Sequence, residues 1–136
     1  MGKLFHWKVK DLVQTIDRMI ENKFDCVIAV DGKRSLGKST VSYKIAKRVK
    51  NNFNPWRDIV YLRKDITKLY INHFKGVIWA DEMINAGHNR DFYDQEQKKL
   101  IKSINMYRDN FNVFIWCIPN FLNLDTQLRN LVKIRL

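Results

Sequence analysis

Short apolar runs alternate along this chain with stretches in which apolar side chains recur every three or four positions. The apolar runs predict buried strands, and the three-to-four-residue recurrence predicts amphipathic helices. The predicted strands cover residues 26–30, 59–62, 77–80, 112–118 and 131–136. The predicted helices cover residues 11–23, 38–50, 65–74 and 125–130, and one more helix begins at a cap of Asp91 or Asp94.

Strands that alternate with helices predict the α/β class, with a mainly parallel sheet that helices cover on both faces. A length of 136 residues fits one domain. Residues 51–55 form a turn signal that ends in Pro55 and separates the first strand–helix unit from the second. The last predicted strand runs to the final residue, so we expect this chain to be the front part of a longer protein.

The charge of the chain is strongly positive. It carries 25 basic and 14 acidic residues, for a net charge of +11, and most of the excess lies in residues 1–68. Such a bias favours a polyanionic partner, although a merely soluble basic protein has the same composition. The cations of the helix at 38–50 are compatible with a nucleic-acid backbone contact, but an ordinary solvated helix face is the favoured interpretation. These cations are Lys44, Lys47, Arg48 and Lys50.

Composition also bears on the compartment. No apolar run approaches the roughly 20 residues that a membrane-spanning helix needs, and the first residues do not form a secretion signal. Cys26 and Cys117 both lie in predicted strands, and two cysteines are too few for a disulfide framework or a zinc site. We therefore expect buried thiols and a cytoplasmic protein without membrane contact.

Residues 32–39 fit the pattern G-x-x-x-x-G-K-[ST] and lie between the first predicted strand and the helix after it. Glycines let the backbone approach phosphate, and the N–H groups of the turn and of the helix start bind the anion. We expect Lys38 to reach the β- and γ-phosphates and Ser39 to ligate Mg²⁺. The predicted nucleotide-binding residues are Gly32, Lys33, Arg34, Ser35, Leu36, Gly37, Lys38, Ser39 and Thr40.

Two carboxylates, Asp81 and Glu82, directly follow the predicted strand at 77–80. Ligands bind beyond the carboxyl ends of the strands in a parallel α/β sheet, so we expect both carboxylates near the phosphate loop. Asp81 is suited to hold the water shell of Mg²⁺, and Glu82 is suited to polarise an attacking water. An acidic pair after a strand is a weak signal alone and gains its weight from the phosphate loop upstream.

These features resemble the P-loop NTPases, in particular the branch whose Walker B strand ends in Asp-Glu and whose sheet has an additional strand between the Walker A and Walker B strands. Residues 26–40, 77–82 and 112–120 carry the resemblance. It implies a three-layer α/β fold with the sheet order 5-1-4-3-2. It also implies ATP hydrolysis, with Asp81 on magnesium and Glu82 as the catalytic base.

The implied sheet order makes the first and fourth strands parallel neighbours. Cys26 begins the first strand and Cys117 ends the fourth, so we expect the thiols at opposite ends of the sheet, too far apart for a disulfide. Asn120 follows the fourth strand, where members of the family place a polar residue that senses the γ-phosphate. An ordinary Asn in a turn after Pro119 is equally compatible with the sequence.

A looser similarity links the chain to the viral DNA-packaging ATPases and the FtsK/HerA group of DNA pumps. These have an arginine before the fourth strand, a polar residue after it and an arginine further downstream. The similarity implies a homo-oligomeric ring on double-stranded DNA, in which an arginine reaches the ATP site of the neighbouring subunit. Arg108, Arg129 and Arg90 are the candidates, in that order. Residues 83–93, a predicted loop, are the expected DNA contact.

The sequence is therefore interpreted as an ATP- and Mg²⁺-dependent domain over residues 1–136, with residues 1–25 as a helical extension. It would serve viral or plasmid DNA packaging or translocation, in the host cytoplasm if the protein is viral. Two alternatives stay open. A P-loop nucleotide kinase has a similar loop over residues 31–40 but would need an acceptor site and an arginine-rich lid. A helicase-loader-type switch binds ATP mainly to hold a partner.

Overall fold

The computed structural model describes residues 9–22, 25–31, 37–60, 63–80, 90–118 and 126–136. Helices and strands alternate through these residues, as the sequence predicts. The helices are α1 (Val9–Glu21), α2 (Lys38–Arg48), α3 (Pro55–Asp58), α4 (Arg63–Asn72), α5 (Arg90–Met106) and α6 (Thr126–Arg129), and a 3₁₀ turn covers Arg108–Asn110. The strands are β1 (Cys26–Asp31), β2 (Ile59–Val60), β3 (Val77–Ala80), β4 (Val113–Ile118) and β5 (Ile134–Arg135).

Neighbouring strands of the sheet pair in parallel, in the order β2-β3-β4-β1-β5. Read from its other side, this is the expected order 5-1-4-3-2, and the predicted fold class is confirmed. Ala29, Trp116 and Ala80 are in register across β1, β4 and β3. The carboxyl ends of these strands therefore meet at one edge of the sheet, here called the carboxyl edge, and their amino ends meet at the opposite amino edge.

Two apolar cores lie on the two faces of the sheet. The strands are continuous apolar runs, and successive side chains point to opposite faces, so each strand contributes to both cores. On one face, the helices α1 and α2 contribute Leu12, Val13, Ile16, Ile45, Ala46 and Val49. On the other face, the helices α4, α5 and α6 contribute Ile66, Tyr70, Leu100, Ile104 and Leu128. The result is the expected three-layer arrangement.

The two cysteines lie where the implied strand order puts them. Cys26 pairs with Val113 at the start of β4, and Cys117 pairs with Val30 near the end of β1. Both thiols are buried and not joined in a disulfide, and they lie at opposite ends of neighbouring strands, so this expectation is confirmed. Burial raises the pKa of Cys26 to about 12, although the nearby Lys133 opposes the shift. Its thiolate is accordingly almost absent at neutral pH.

The predicted turn at 51–55 leads into the short helix α3, which the sequence analysis missed. Pro55 occupies the first helical position, where its missing N–H costs nothing. The side chain of Asn54 accepts a hydrogen bond from the backbone N–H of Trp56 at 3.0 Å and so caps the helix. The Asn-Pro pair was read as a turn alone, whereas it also starts a helix.

The start of α5 differs from the prediction. The helix begins at Arg90, so the expectation of a loop up to residue 93 and of a cap at Asp91 or Asp94 was wrong. Both acids fall in the first turns of the helix, where negative charge is favourable beside the positive end of the helix dipole. α5 has 17 residues. Within the described ranges, no helix combines the length and the apolar character needed to cross a bilayer.

The last strand is shorter than the predicted strand at 131–136. Leu131 and Val132 belong to the turn after α6, because their N–H groups donate to the carbonyl oxygens of Leu128 and Arg129 at 3.0 and 3.2 Å. β5 therefore pairs with β1 only through two register positions, Ile28 with Ile134 and Ala29 with Arg135.

Candidate nucleotide-binding site

The residues that the sequence predicts for ATP chemistry follow three neighbouring strands. β4 lies between β1 and β3, and strands of a sheet are about 4.8 Å apart, so the three carboxyl ends span roughly 10 Å. The phosphate loop follows β1, the acidic pair follows β3 and the polar sensor follows β4. The residues 32–36, Asp81, Glu82 and Asn120 themselves lie outside the described part of the chain.

Gly37 connects the phosphate loop to α2. Its φ of 74° is in the left-handed region, which glycine adopts without strain and other residues avoid. A Cβ built on Gly37 would meet no atom of the described structure within 4 Å, so the backbone conformation and not a lack of space favours glycine here. The carbonyl of Gly37 accepts the N–H of Val41 at 3.1 Å, the first hydrogen bond of the helix.

The amino end of α2 is left open for an anion. No side chain in the described structure caps the helix, and its first turn contains no acidic residue. The first N–H groups of a helix have no partner within the helix, and the helix dipole makes this end positive. Ser39 and Thr40 are exposed in this turn. Lys38 begins α2, but its side chain lies outside the described atoms.

A buried polar cluster lies one turn below this helix start. Ser42 on α2 is fully buried, and its Oγ lies 3.1 Å from Sγ of Cys117 on β4. Nε1 of Trp79 on β3 donates to the same sulfur at 3.2 Å. The cluster joins the helix after the phosphate loop to the two strands that precede the acidic pair and the sensor. The sequence analysis missed it, although Ser42 falls on the apolar face of α2 with Ile45 and could have been noticed there.

An ion pair lies at the base of the phosphate loop. Arg135 donates from Nη2 and Nε to Oδ2 of Asp31 at 2.7 and 3.2 Å. The backbone N–H of Asp31 donates to the carbonyl of Leu136 at 3.1 Å. β5 thus holds the last residue of β1, and the guanidinium offsets the negative charge of its carboxylate.

The three candidate arginines lie in different places. Arg108 is exposed in the 3₁₀ turn before β4, at the amino edge and opposite the end of β1 where the phosphate loop begins. Arg129 ends α6, is half-buried, and donates from Nη2 to Thr126 Oγ1 at 3.0 Å. Its buried Nε has no hydrogen-bond partner among the described residues. Arg90 begins α5, and its side chain lies outside the description.

Solved structures share this fold. The chain aligns with the RuvB Holliday junction branch migration motor of Thermotoga maritima at a TM-score of 0.65 and 16% identity, over 94% of this chain and 43% of that one. It aligns with Trip13 from Rhizobiales at a TM-score of 0.63 and 12% identity, over 94% of this chain and 59% of that one. The fold is that of the P-loop NTPases.

The coverage and the sequence identity of these alignments limit what they show. This chain spans less than two thirds of the length of either neighbour. No protein-family model and no curated protein matches the sequence. At this level of identity, the likeness concerns the fold, and function has to be argued from the residues.

Proposed function

We propose that this chain binds and hydrolyses ATP with Mg²⁺, as the ATPase domain of a nucleic-acid motor. The observation that carries the proposal is the position of the G-x-x-x-x-G-K-S sequence, directly between β1 and α2. The start of α2 supports it, because it has a left-handed glycine, no capping side chain and no acid in its first turn. These features suit a bound phosphate and have no evident structural purpose.

The proposed roles follow the strands. The backbone of residues 32–37 and Lys38 would hold the phosphates, and Ser39, with Thr40 beside it, would face the metal. Asp81, after β3, would hold Mg²⁺, which offsets phosphate charge when bound. Glu82 would orient and deprotonate the attacking water. Asn120, after the intervening β4, would contact the γ-phosphate.

Hydrolysis is proposed to need a neighbouring subunit in a homo-oligomeric ring. The groups above bind and orient, and a cation from a second subunit would stabilise the charge on the transferred phosphoryl group. Arg129 is now the preferred candidate over Arg108. Thr126 holds its guanidinium in place through Nη2, so less side-chain entropy is lost when it engages a phosphate.

The proposed partner is nucleic acid. The net charge of +11 opposes self-assembly at low salt, and a polyanion in the ring would relieve that repulsion. RuvB, a structure with the same fold, is a Holliday junction branch migration motor. Double-stranded DNA and a viral packaging or translocation role are the finer parts of the proposal.

Phosphate release from ATP–Mg²⁺, measured on the 136-residue chain with and without duplex DNA, tests the proposal. The rate per subunit should rise with protein concentration and with DNA. Lys38→Ala should weaken ATP binding roughly 10- to 150-fold, the size of a lost charge-assisted hydrogen bond. Lys44→Ala, which removes the same charge from the exposed side of α2, is the control.

Three results would contradict the proposal. Unchanged ATP affinity in Lys38→Ala, measured by calorimetry, removes the phosphate-loop assignment. Transfer of phosphate to an added nucleoside, from a panel of nucleosides, indicates the kinase. Slow turnover that neither DNA nor protein concentration changes indicates the ATP switch.

A further inference from the structure

Two cavities adjoin at the amino edge of the sheet and share Asn52. The larger has a volume of about 640 Å³ and lies beside the end of α4. The smaller has a volume of about 500 Å³ and lies between the end of α1 and the turns before β3 and β4. We call the two together the amino-edge groove. Its cations and rings are Arg57, Lys68, Lys50, Lys75, Phe74 and Phe111.

The described lining of the groove is positively charged. It contains four cations and a single carboxylate, that of Glu21. Glu21 is already paired with Lys50 at 2.9 Å. Arg57 is likewise paired, through Nε and Nη2, with the buried carboxylate of Asp58 at 2.7 and 3.2 Å. Lys68 and Lys75 are the lining cations without an ion pair among the described residues, and they leave the groove with an excess of positive charge.

Aromatic rings are exposed beside these cations. Phe74 keeps 63% of its surface in solvent. Its ring packs edge-on against Phe111 at 6.2 Å between centroids, and Nζ of Lys75 lies 5.6 Å from the centre of the Phe74 ring. Rings with cations beside them are what single-stranded nucleic acid needs, because bases stack on the rings and phosphates pair with the cations. In a duplex the base faces are already stacked and cannot use such a ring.

The backbone at the groove adds an independent observation. Lys75 and Phe111, with φ of 51° and 53°, are the non-glycine residues of the described chain that adopt positive φ. Each lies two residues before a strand, in a turn where glycine would carry less strain. Side chains held in such conformations cluster at ligand sites. Here these two side chains line one groove.

We propose that the amino-edge groove binds single-stranded nucleic acid, with Lys68 and Lys75 on the phosphates and the Phe74 ring against a base. The inference rests on the nucleic-acid partner of the proposed function, and it concerns a contact with single strands that is separate from the contact with double-stranded DNA proposed for the ring. The groove lies at the edge opposite the predicted nucleotide site. Binding is therefore measured without nucleotide, and a failure of the groove leaves the ATP chemistry standing.

The experiment follows the fluorescence anisotropy of a labelled oligothymidylate of about 20 nucleotides, longer than the roughly 4–16 that one single-strand-binding fold covers. A duplex of equal length is the competitor. Phe74→Ala should weaken binding about 5- to 150-fold, the effect of one lost base stack. The exposed ring carries little of the fold, so the unfolding midpoint should hardly move.

Lys75→Gly is the second variant. Glycine suits the left-handed backbone, so the unfolding midpoint should stay or rise while one phosphate contact is lost. The slope of log affinity against log salt should fall by about 0.7, the value for one phosphate of a single strand. Lys44→Ala removes an equal charge from α2, outside the groove, and is the matched control.

The groove is supported if the unlabelled duplex displaces the labelled single strand less readily than unlabelled single strand does, and if Phe74→Ala and Lys75→Gly weaken single-strand binding more than Lys44→Ala. Displacement by the duplex as readily as by the single strand overturns it. So does an effect of Lys44→Ala larger than that of Lys75→Gly, because the site is then on α2. An absence of nucleic-acid binding, with Phe74→Ala instead changing self-association in sedimentation, assigns the surface to a second copy of the chain and also overturns it.

Discussion

At the amino edge of the sheet, side chains form hydrogen bonds with the backbone N–H and carbonyl groups of the turns. At the carboxyl edge, by contrast, no side chain of the described structure caps the start of α2. Asn112 is buried at the amino edge. Its Oδ1 accepts the N–H of Gly76 at 3.0 Å, and its Nδ2 donates to the carbonyl of His73 at 2.9 Å. Asn51 donates to the carbonyl oxygens of Gly76 and Phe111 at 3.0 and 2.9 Å.

The buried carboxylate of Asp58 belongs to the same edge. Burial raises its pKa, but hydrogen bonds from Arg57, from the backbone N–H of Asn54 and from His73 outweigh burial and bring the pKa below the ordinary value of 3.8. Nε2 of His73 lies 2.7 Å from Oδ1 and donates to it. His73 is therefore a structural residue.

The two edges differ in what their polar groups are for. At the amino edge, buried donors and acceptors are satisfied within the chain, so a change there leaves a polar group unpaired and costs stability. At the carboxyl edge, no described side chain caps the start of α2, and the proposed ligand would use its N–H groups, so a change there should cost binding or catalysis and little stability. The amino-edge groove is an exception to this rule. Its exposed side chains are not part of the buried hydrogen-bond network, so changing them should cost binding and little stability.

The largest expected effect separates the two candidate arginines. Arg129→Ala should lower DNA-stimulated ATP hydrolysis 10³- to 10⁵-fold, the effect of a lost arginine finger. Arg108→Ala, at the amino edge, should hydrolyse ATP close to the wild-type rate. Mixing wild type with Arg129→Ala should poison the activity of the wild-type subunits.

The same measurement decides which element faces the next subunit. If Arg108→Ala carries the loss instead, the 3₁₀ turn before β4, and not the end of α6, faces the ATP of the neighbouring subunit. Urea unfolding of both variants, which are expected to stay folded, controls for misfolding.

Glu82→Gln is expected to have the next largest effect. The amide keeps the shape of the side chain but cannot take a proton, so hydrolysis should fall roughly 10²- to 10⁴-fold while ATP still binds. Single-turnover phosphate release and ATP affinity are the two measurements, and the free energy of unfolding should match wild type. Normal turnover in this variant would assign the base to another residue.

Asn112→Ala, at the amino edge, should have the opposite effect to Glu82→Gln: it should lower stability and leave ATP binding unchanged. The N–H of Gly76 and the carbonyl of His73 would lose their partner in a buried site, which should lower the free energy of unfolding by roughly 2–4 kcal/mol. ATP affinity should be unchanged at temperatures where the variant is folded. The exposed Asn105→Ala, on α5, is the control. A loss below that of the control would mean that the amino-edge network does not support the fold.

The sequence predicts the strands and the start of α2 better than it predicts the turns of the amino edge. The apolar runs predicted all five strands, the phosphate-loop pattern predicted a helix that begins at Lys38, and the resemblance implied the strand order. The roles of the site residues stay predictions, because the phosphate loop, Asp81, Glu82 and Asn120 lie outside the described residues.

The amino-edge network could not be predicted, and the reason is sequence distance. The hydrogen bond of Asn112 to Gly76 spans 36 positions, and that of Asn51 to Phe111 spans 60. Asn and Asp in turns look the same in a sequence whether they are solvated or closing a distant strand. α3 and the start of α5 were missed for a related reason, since Pro55 and Asp91 are compatible with both a turn and a helix start.

Acid should weaken the amino edge selectively. The pKa of Asp58 is lowered in the folded chain, so its contribution to stability is fully present above the unfolded value of 3.8 and is lost as pH falls through its native pKa. In urea titrations below pH 5, wild type should lose stability with a steeper slope than Asp58→Asn. Asp109→Asn, at an exposed site, should keep the wild-type slope. Equal slopes in wild type and Asp58→Asn would remove Asp58 from the acid response.

The smallest expected effect is a difference in the rates at which Cys26 and Cys117 react with a disulfide reagent. Each thiol reports how readily its edge of the sheet opens. Cys26 begins β1 beside the amino-edge network, where its N–H donates to the carbonyl of Asn112 at 3.2 Å. Cys117 lies one residue before the end of β4 at the carboxyl edge. Both are buried, so a disulfide reagent reaches them only when the structure opens locally.

Cys117 should react several-fold faster than Cys26 if the carboxyl edge opens more readily. The single variants Cys26→Ala and Cys117→Ala assign the two rates. ATP–Mg²⁺ should slow the reaction of Cys117 and leave that of Cys26 unchanged, because a ligand at the carboxyl edge stabilises only the closed state of that edge. If the two thiols react at equal rates, or if Cys26 reacts faster, the amino edge opens at least as readily as the ligand-free carboxyl edge. Its side-chain hydrogen bonds would then not make it the more firmly held of the two edges.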